Sequence, residues 1–521
     1  MGIIHSLLRD TYLSIKAILA TIQDLNTTYG ALLNRISSDP GIPVQNPTSS
    51  FWLDNPPVPR PSEQAVQSAS VARTILEESA VMGLTTFKVV VFEARELTSG
   101  ATGRNGGHIK TSPYMTFSRM KARFGVERAR DLVRFEMRHL PLLTGMAKDE
   151  GIEKAEARRV ETVDLFFDGE AWEKARQMAE ELEDGMPDVA SGMHVWSAAE
   201  ARKRFGVSEL VLGAVSYDSG ALWPYRLVTS VFQTLITKFP SNLSIETKTA
   251  VEKISVTENS HTPFLVQTSR GNIIASHVIH ATNAHASSLI PGLRGKLFPV
   301  RGQMSAQRPG EQFPKLDGER SWSFIGRKGF EYITQRPGLP DSVDGMGGEL
   351  MTGGGLMQSS GKGLDEIGIS RDDEISFYAG SHLNGVLPMA FSTENWGPDH
   401  PSGRLKKMWT GNMGCTADGL PFVGKLDSSL TKRKVGAAYL SKTQISSPAE
   451  WISAGYNGEG MVYAWLCGVA VALMVLGLDK VKCKPSPGRL PGTVEEWLPN
   501  ELIVTNKRVA RANVSELADE L

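Results

Sequence analysis

A short apolar run that ends on an acidic residue and gives way to a glycine-rich loop constrains this chain more than any other feature. Phe87-Lys88-Val89-Val90-Val91-Phe92 has the length and composition of a buried strand; it follows a helix over Val66 to Met82, stopped at Gly83, and it ends at Glu93. A helix feeding a parallel strand is the unit of an open α/β sheet, and such sheets take ligands at the carboxyl ends of their strands. Ser99 to His108 then carries Gly100, Gly103, Gly106 and Gly107 among small, hydrogen-bonding residues, as needed where backbone closes on a flat, phosphate-linked ligand. Taken singly, Glu93 is also open to reading as a solvated strand end, and the glycines as a surface loop.

At 521 residues the chain suits two interleaved domains with short extensions and can bury a large ligand. A formal charge of −1, with no sustained run of Lys or Arg, leaves no electrostatic footprint for nucleic acid. Cys415, Cys467 and Cys483 have neither disulfide-framework nor metal spacing, which points to no metal and to a reducing, intracellular, cytoplasmic setting. Ile4, Leu8, Ile15, Leu19 and Ile22 share one side of an amphipathic amino-terminal helix. Met1-Gly2-Ile3-Ile4-His5-Ser6 fits the N-myristoylation pattern, with plain helix docking as the alternative, and the tail Ala518-Asp519-Glu520-Leu521 reads as a chance likeness to an ER-retention signal. Gly460 to Leu478 is almost wholly apolar and long enough for a membrane span, but its Gly and Ala content and missing aromatic belt favour a helix buried in a large domain.

Residues 36 to 62 are crowded with Pro, Ser and Asn and read as an extended lead-in. Charged amphipathic helices are expected over 117 to 150 and 170 to 185, short strands over 242 to 282, and a second strand-rich stretch over 321 to 392.

Residues 89 to 110 together resemble the second strand and flavin loop of the D-amino-acid-oxidase-like FAD-dependent oxidoreductases, a group that includes glycine and sarcosine oxidases. Looser likenesses follow in family order over most of residues 50 to 485. Ala250-Val251 matches the pair at the adenine, Ala281 to Ala284 a strand end, Pro299 to Gln303 the crossing into the substrate sheet, and Thr416 to Gly424 and Gly455 to Met461 the last flavin blocks. The resemblance implies an α/β fold, with a Rossmann-like, doubly wound, glutathione-reductase-like FAD-binding domain interleaved with an antiparallel-sheet α+β substrate domain. On that layout 1–58 is the N-terminal helix and Pro-rich lead-in, 59–125, 211–310 and 406–485 form the FAD-binding domain, 126–210 and 311–405 the substrate domain, and 486–521 a C-terminal extension. The cofactor residues it implies are Glu93, Ala94, Arg95, Ser99, Gly100, Ala101, Thr102, Gly103, Arg104, Asn105, Gly106, Gly107, Val251, Thr282, Asn283, Gly424, Gly455, Gly458, Gly460 and Met461. Glu93 would take the ribose hydroxyls, and a helix start after Gly460 would stabilise charge on the reduced flavin.

Two departures stand beside the likeness. The family's first strand and G-x-G-x-x-G turn are missing; Pro59 to Ser68 holds no glycine and no apolar run, although family register resumes at Ala69. A segment lost through the gene model or alternative splicing accounts for this, and FAD affinity is expected to fall severely. Some sarcosine-oxidase-like members bond the flavin to a cysteine several residues before the T-x-D element; Gly411 stands near that place here and Cys415 directly precedes Thr416, so noncovalent FAD is expected.

The activity implied is oxidation of the C–N bond of a small amine or amino acid by hydride transfer to flavin N5, with oxygen or another acceptor reoxidising the flavin. A flavin-deficient binding protein and a membrane-anchored protein are the alternatives. His108 and Lys110, after the loop, and Tyr332, Gln335 and Arg336, on the presumed substrate sheet, are the catalytic candidates; Arg336 is open to reading as a carboxylate clamp or as a salt bridge.

Overall fold

The computed structural model describes residues 27–54, 66–84, 86–259, 261–327, 329–338, 347–435 and 445–514. The expected amino-terminal amphipathic helix, residues 59–65 and the tail at 518–521 lie outside the described residues. The elements that build the site are α1 (Val66–Val81), β1 (Val89–Phe92), α2 (Pro224–Lys238), β2 (Leu243–Glu246), β3 (His277–His280), β4 (Leu297–Gln307), β5 (Leu405–Thr416), β6 (Phe422–Lys425), β7 (Ala449–Ala454) and α3 (Ala464–Val475).

The helix α1 forms because fourteen interior positions lack Gly and Pro and place Ala69, Ala72, Ile75 and Leu76 on one buried face; Gly83, at φ +72°, closes it with an N–H to the Ala80 carbonyl. Packed beside it, α3 is apolar on every side and buried throughout except at Met474. Its twelve residues span about 18 Å, well short of a bilayer. No described helix is long and apolar enough to cross a membrane.

Parallel strands flank this helix pair, but in two separate pieces. The pair β1–β2 runs in register from Val89↔Leu243 to Phe92↔Glu246. The other piece has the order β3-β7-β6, with β3 parallel to β7 from His277↔Ala449 to His280↔Ile452. Among the described residues nothing pairs with the second edge of β1 or of β3. Successive side chains of a strand point to opposite faces, and both strands are covered on both. Val89, Val91 and Ile279 join the cluster built on α1 and α3, while Phe92 and Val278 pack on Ile254, Phe264 and Val266 of a three-stranded antiparallel sheet over Val251–Ala275. Despite that cover, Val90 is 36 % exposed and His277 to Ile279 are only half-buried, because the space beside each edge is open.

The second body is a nine-stranded mixed sheet in which β4 and β5 pair antiparallel along eleven register positions and lead through Leu350–Gly354, Gly329–Gln335 and Arg320–Gly326 to Arg158–Phe166 and Gly213–Ala221. The expected strand-rich stretch ends at Gly354. Phe377–Trp396 is instead a helix, kinked at Ser392, because Ala379, Leu383, Val386, Leu387, Ala390 and Phe391 fall at helical rather than alternate spacing and pack on the sheet. Leu466, fully buried in α3 between the parallel strands and α1, reports on the packing of this core. Leu466→Ala is expected to cost about 2–5 kcal/mol of stability, read as a lower denaturant midpoint.

Candidate active site

One cavity of about 900 Å³ runs from the ends of β1 and β3 to the face of the mixed sheet. At its first end stand Glu93, Ala94 and Arg95, with Val251 from the antiparallel sheet and Thr282 and Asn283 after β3. Burial raises the Glu93 carboxyl to about 7, and its Oε1 accepts the Arg95 N–H at 3.1 Å. The glycine-rich loop contributes Gly100, Ala101, Thr102, Arg104 and Asn105 to the wall.

Side chains hold that loop from outside. Arg95 donates to both Asp372 oxygens at 2.9 and 3.1 Å, with both side chains buried, and Arg104 stands 3.5 Å from the same carboxylate. Arg104 also donates to the carbonyls of Ser99, Thr410 and Thr48, each at 2.6 Å, and so joins the loop to β5 and to the lead-in. Burial lowers the Arg104 guanidinium only to about 10, so it stays charged at neutral pH. Ser99, Gly103, Gly106 and Gly107 do not line the cavity but shape its wall. A Cβ at Gly103 would stand 2.2 Å from the Thr98 carbonyl, and one at Gly106 would stand 2.4 Å from the Tyr332 ring.

At the far end the cavity meets Gly302, Gln303, Met304, Phe330, Tyr332, Asn412, Met413, Tyr456, Gly458, Gly460 and Met461. Two asparagines in the left-handed region fix this end. Asn283 (φ +44°) accepts the Gly455 N–H at 2.9 Å, and Asn457 (φ +52°) accepts the Thr416 N–H at 2.9 Å while giving its own N–H to the Gly414 carbonyl. Gln303 accepts from the Ser376 N–H, and Asn412 donates to the Ser370 carbonyl; the other half of each buried amide, Gln303 Nε2 and Asn412 Oδ1, has no protein partner among the described residues.

Several expected residues fall elsewhere. His108 is not on the cavity wall; it stacks on Tyr332 at 6.5 Å and makes a 2.9 Å hydrogen bond with Ser321, and burial pushes it well below its ordinary range, so it is neutral. Lys110 is also behind the wall, paired with Asp164, which accepts from the Tyr114 and Tyr217 hydroxyls at 2.9 and 2.7 Å. The clamp reading of Arg336 is corrected: the side chain is buried, donates to Glu156 at 2.6 Å and Glu349 at 2.8 Å, and sits over the Trp223 ring. Its donors are committed to those glutamates, and Gln335, also buried, does not line this cavity. Of the five catalytic candidates only Tyr332 reaches the cavity, its phenol raised to about 12 by burial.

Gly424 packs towards Met474 of α3, and Gly455 sits behind the wall. The helix expected directly after Gly460 starts at Ala464, following a single tight turn over Gly460–Val462; the Leu466 N–H is taken by His139 Nε2, so the wall offers Gly458, Gly460 and Met461 themselves. Asp372, His285 and Asn412 were not singled out from the sequence, and none stands in a motif that would have marked it; Asp372 lies 277 positions from Arg95.

A dinucleotide fits the two ends of this cavity better than its middle. The carboxyl at the end of β1 suits a nucleoside at one end, and the wall of Met304, Tyr332, Met413, Gly458 and Gly460 suits a flat heterocycle at the other, whereas no described glycine turn precedes α1 to receive a diphosphate.

The sequence matches the family described as DAO, FAD dependent oxidoreductase, over residues 68–474. No protein of curated function matches it. Among solved structures, the glycine oxidase of Geobacillus kaustophilus is 16 % identical with a TM-score of 0.55, covering 80 % of this chain and 93 % of its own. An iminodiacetate oxidase from Chelativorans sp. is 14 % identical (TM-score 0.55; 84 % and 97 % covered), and the L-proline dehydrogenase of P. horikoshii 18 % identical (TM-score 0.52; 86 % and 97 % covered). At these identities the likeness is one of fold.

Asp372 compensates two buried guanidiniums, so Asp372→Asn is expected to cost about 3–5 kcal/mol of stability, measured by denaturant unfolding. An unchanged midpoint would show that the pair does not hold the loop.

Proposed function

The chain belongs to the DAO family of FAD-dependent oxidoreductases, and on that premise we propose that it oxidises the C–N bond of a small amine or amino acid by hydride transfer to the N5 of a noncovalently held FAD. The observation that carries this reading is a single cavity continuous from the Glu93 carboxylate, past the glycine-rich loop, to Tyr332 and Gly460. When bound, FAD supplies the two-electron acceptor; the imine product is hydrolysed by water, and oxygen or another acceptor restores the cofactor.

The residues of the chain bind and orient. Glu93 would accept the ribose hydroxyls, the backbone of Gly100 to Thr102 would allow close approach of the cofactor, and Gly458, Gly460 and Met461 would hold its flavin end. Met304, Met413, Phe330 and Tyr332 form a weakly polar wall that desolvates the amine and so favours its neutral, reactive form. With Arg336 committed to two glutamates, and Arg95 and Arg104 to Asp372, no described cation at this end is left to clamp a carboxylate bidentately. Amines without a carboxylate are therefore favoured over amino acids. Noncovalent binding is supported by Cys415, which packs with Phe298 and Val300 rather than on the cavity wall.

The test is an amine and amino-acid panel on protein supplied with FAD, followed by peroxide formation and by dye reduction. Turnover with uncharged amines above the matching amino acids is expected, and absence of both signals across the panel rejects the reading. Acid precipitation should leave flavin in the supernatant.

The pH dependence has a defined sign. With its carboxyl raised to about 7, Glu93 becomes an ionised acceptor only above that pH, so FAD affinity is expected to rise about tenfold between pH 6 and pH 8.5, read by quenching of flavin fluorescence. Glu93→Gln should flatten that profile.

A further inference from the structure

We propose that Glu136 and His139 are positioning residues for the far wall of the cavity, holding from behind the turn Gly460–Val462 and the start of α3. Gly458, Gly460, Met461 and Ala464 line the cavity, whereas Tyr463, between the last two, is buried behind it. The Tyr463 hydroxyl donates to Glu136 Oε1 at 2.5 Å, and Glu136 Oε2 accepts from Thr116 at 3.4 Å. One helical turn further on, the Leu466 N–H donates to His139 Nε2 at 3.4 Å. Glu136 and His139 flank the junction of the helices Val126–Met137 and His139–Asp149, and Tyr463 and Leu466 flank the entry to α3. Two side chains on one segment thus grip two positions of the other, and the residues that face the cavity are gripped between and beside those points.

The clamp is built to work uncharged. His139 Nε2 accepts, so the ring carries its proton on Nδ1, beside the Phe135 and Glu136 carbonyls at 3.1 and 3.2 Å. Burial lowers the His139 imidazole to about 4. Burial, reinforced by the nearby Glu459 carboxylate, raises the Glu136 carboxyl to about 8. Both groups are therefore neutral at pH 7. Tyr463 remains a phenol, pushed well above its ordinary range by burial. The charged groups that face Glu136 are Glu459, on the turn, and Arg119, on the helix Pro113–Phe124; these two stand 3.9 Å apart and half-exposed.

A clamp of this kind has a pH limit on each side. Protonated His139 has no acceptor left for the Leu466 N–H. Ionised Glu136 is a buried charge beside a second carboxylate, and opening the turn to water relieves its desolvation. A group that merely filled space would impose neither limit.

The inference rests on the flavin reading only for what the wall receives, so its first test is run without flavin. In the full chain, backbone hydrogen exchange of the peptide 458–466 is measured against pH and corrected for the intrinsic rate. Protection is expected to be constant from pH 6 to pH 7 and about tenfold lower at pH 9, one unit above the titration of Glu136. Glu136→Gln, which still accepts the Tyr463 hydroxyl, should keep full protection at pH 9, and Tyr463→Phe should lower protection at every pH. The second test is FAD affinity at pH 7, read by quenching of flavin fluorescence: Glu136→Ala and Tyr463→Phe are expected to bind about tenfold more weakly than wild type, and Glu136→Gln to bind as wild type does. An exchange profile shared by wild type and Glu136→Gln, or unchanged FAD affinity in both Glu136→Ala and Tyr463→Phe, would overturn the inference. Should wild type itself take up no FAD, the flavin reading fails, and the exchange comparison alone decides whether the clamp exists.

Discussion

The carboxylate of Asp372, between the guanidiniums of Arg95 and Arg104, is the contact on which the site depends. A glycine-rich loop has little side-chain packing of its own, and its conformational freedom must be offset by anchors from elsewhere. Here the anchors are charged, buried and donated in fans. Arg104 alone ties the loop to Ser99, to β5 and to the lead-in at Thr48. A pair this deeply buried contributes less net stability than its geometry suggests, because both partners were desolvated to make it, yet breaking it leaves an uncompensated charge. Its role is to give the loop one position.

That role gains weight from the divided parallel sheet. In an uninterrupted sheet the strand next to β1 would hold the loop from below; among the described residues β1 is paired on one side only, with β2, and β3 with β7 only. What keeps the halves in place is packing on both faces, α1 and α3 on one and the Val251–Ala275 sheet on the other.

The fold was legible wherever a local pattern had one physical solution. The helix before β1, the strand ending at Glu93, the run of short strands to His280 and the buried apolar helix near Gly460 all follow from periodicity and punctuation. The segment around Phe377–Trp396 was misread because its glycines, proline and aromatics suggest strands and turns, while the spacing of Ala379, Leu383 and Val386 to Phe391 is helical and the sheet beneath rewards it. Lys110 and Arg336 were polar residues in plausible places, but their partners Asp164, Glu156 and Glu349 come from distant strands and turn them inward. Asn412 carries no motif at all; it reaches the cavity wall because β5 pairs there with β4, at Arg301.

By itself, the sequence determined the family, the presence of a carboxylate at the end of β1, the glycine-rich loop and the absence of a strand-and-glycine turn before α1, because each is a matter of neighbouring residues and their backbone preferences. Only the tertiary structure decided which polar side chains face the cavity and which are consumed in ion pairs, since that depends on contacts made across hundreds of positions. It also decided how β1 and β3 are held, through the packing of α1 and α3 on one face and of the Val251–Ala275 sheet on the other, which joins segments far apart in the chain.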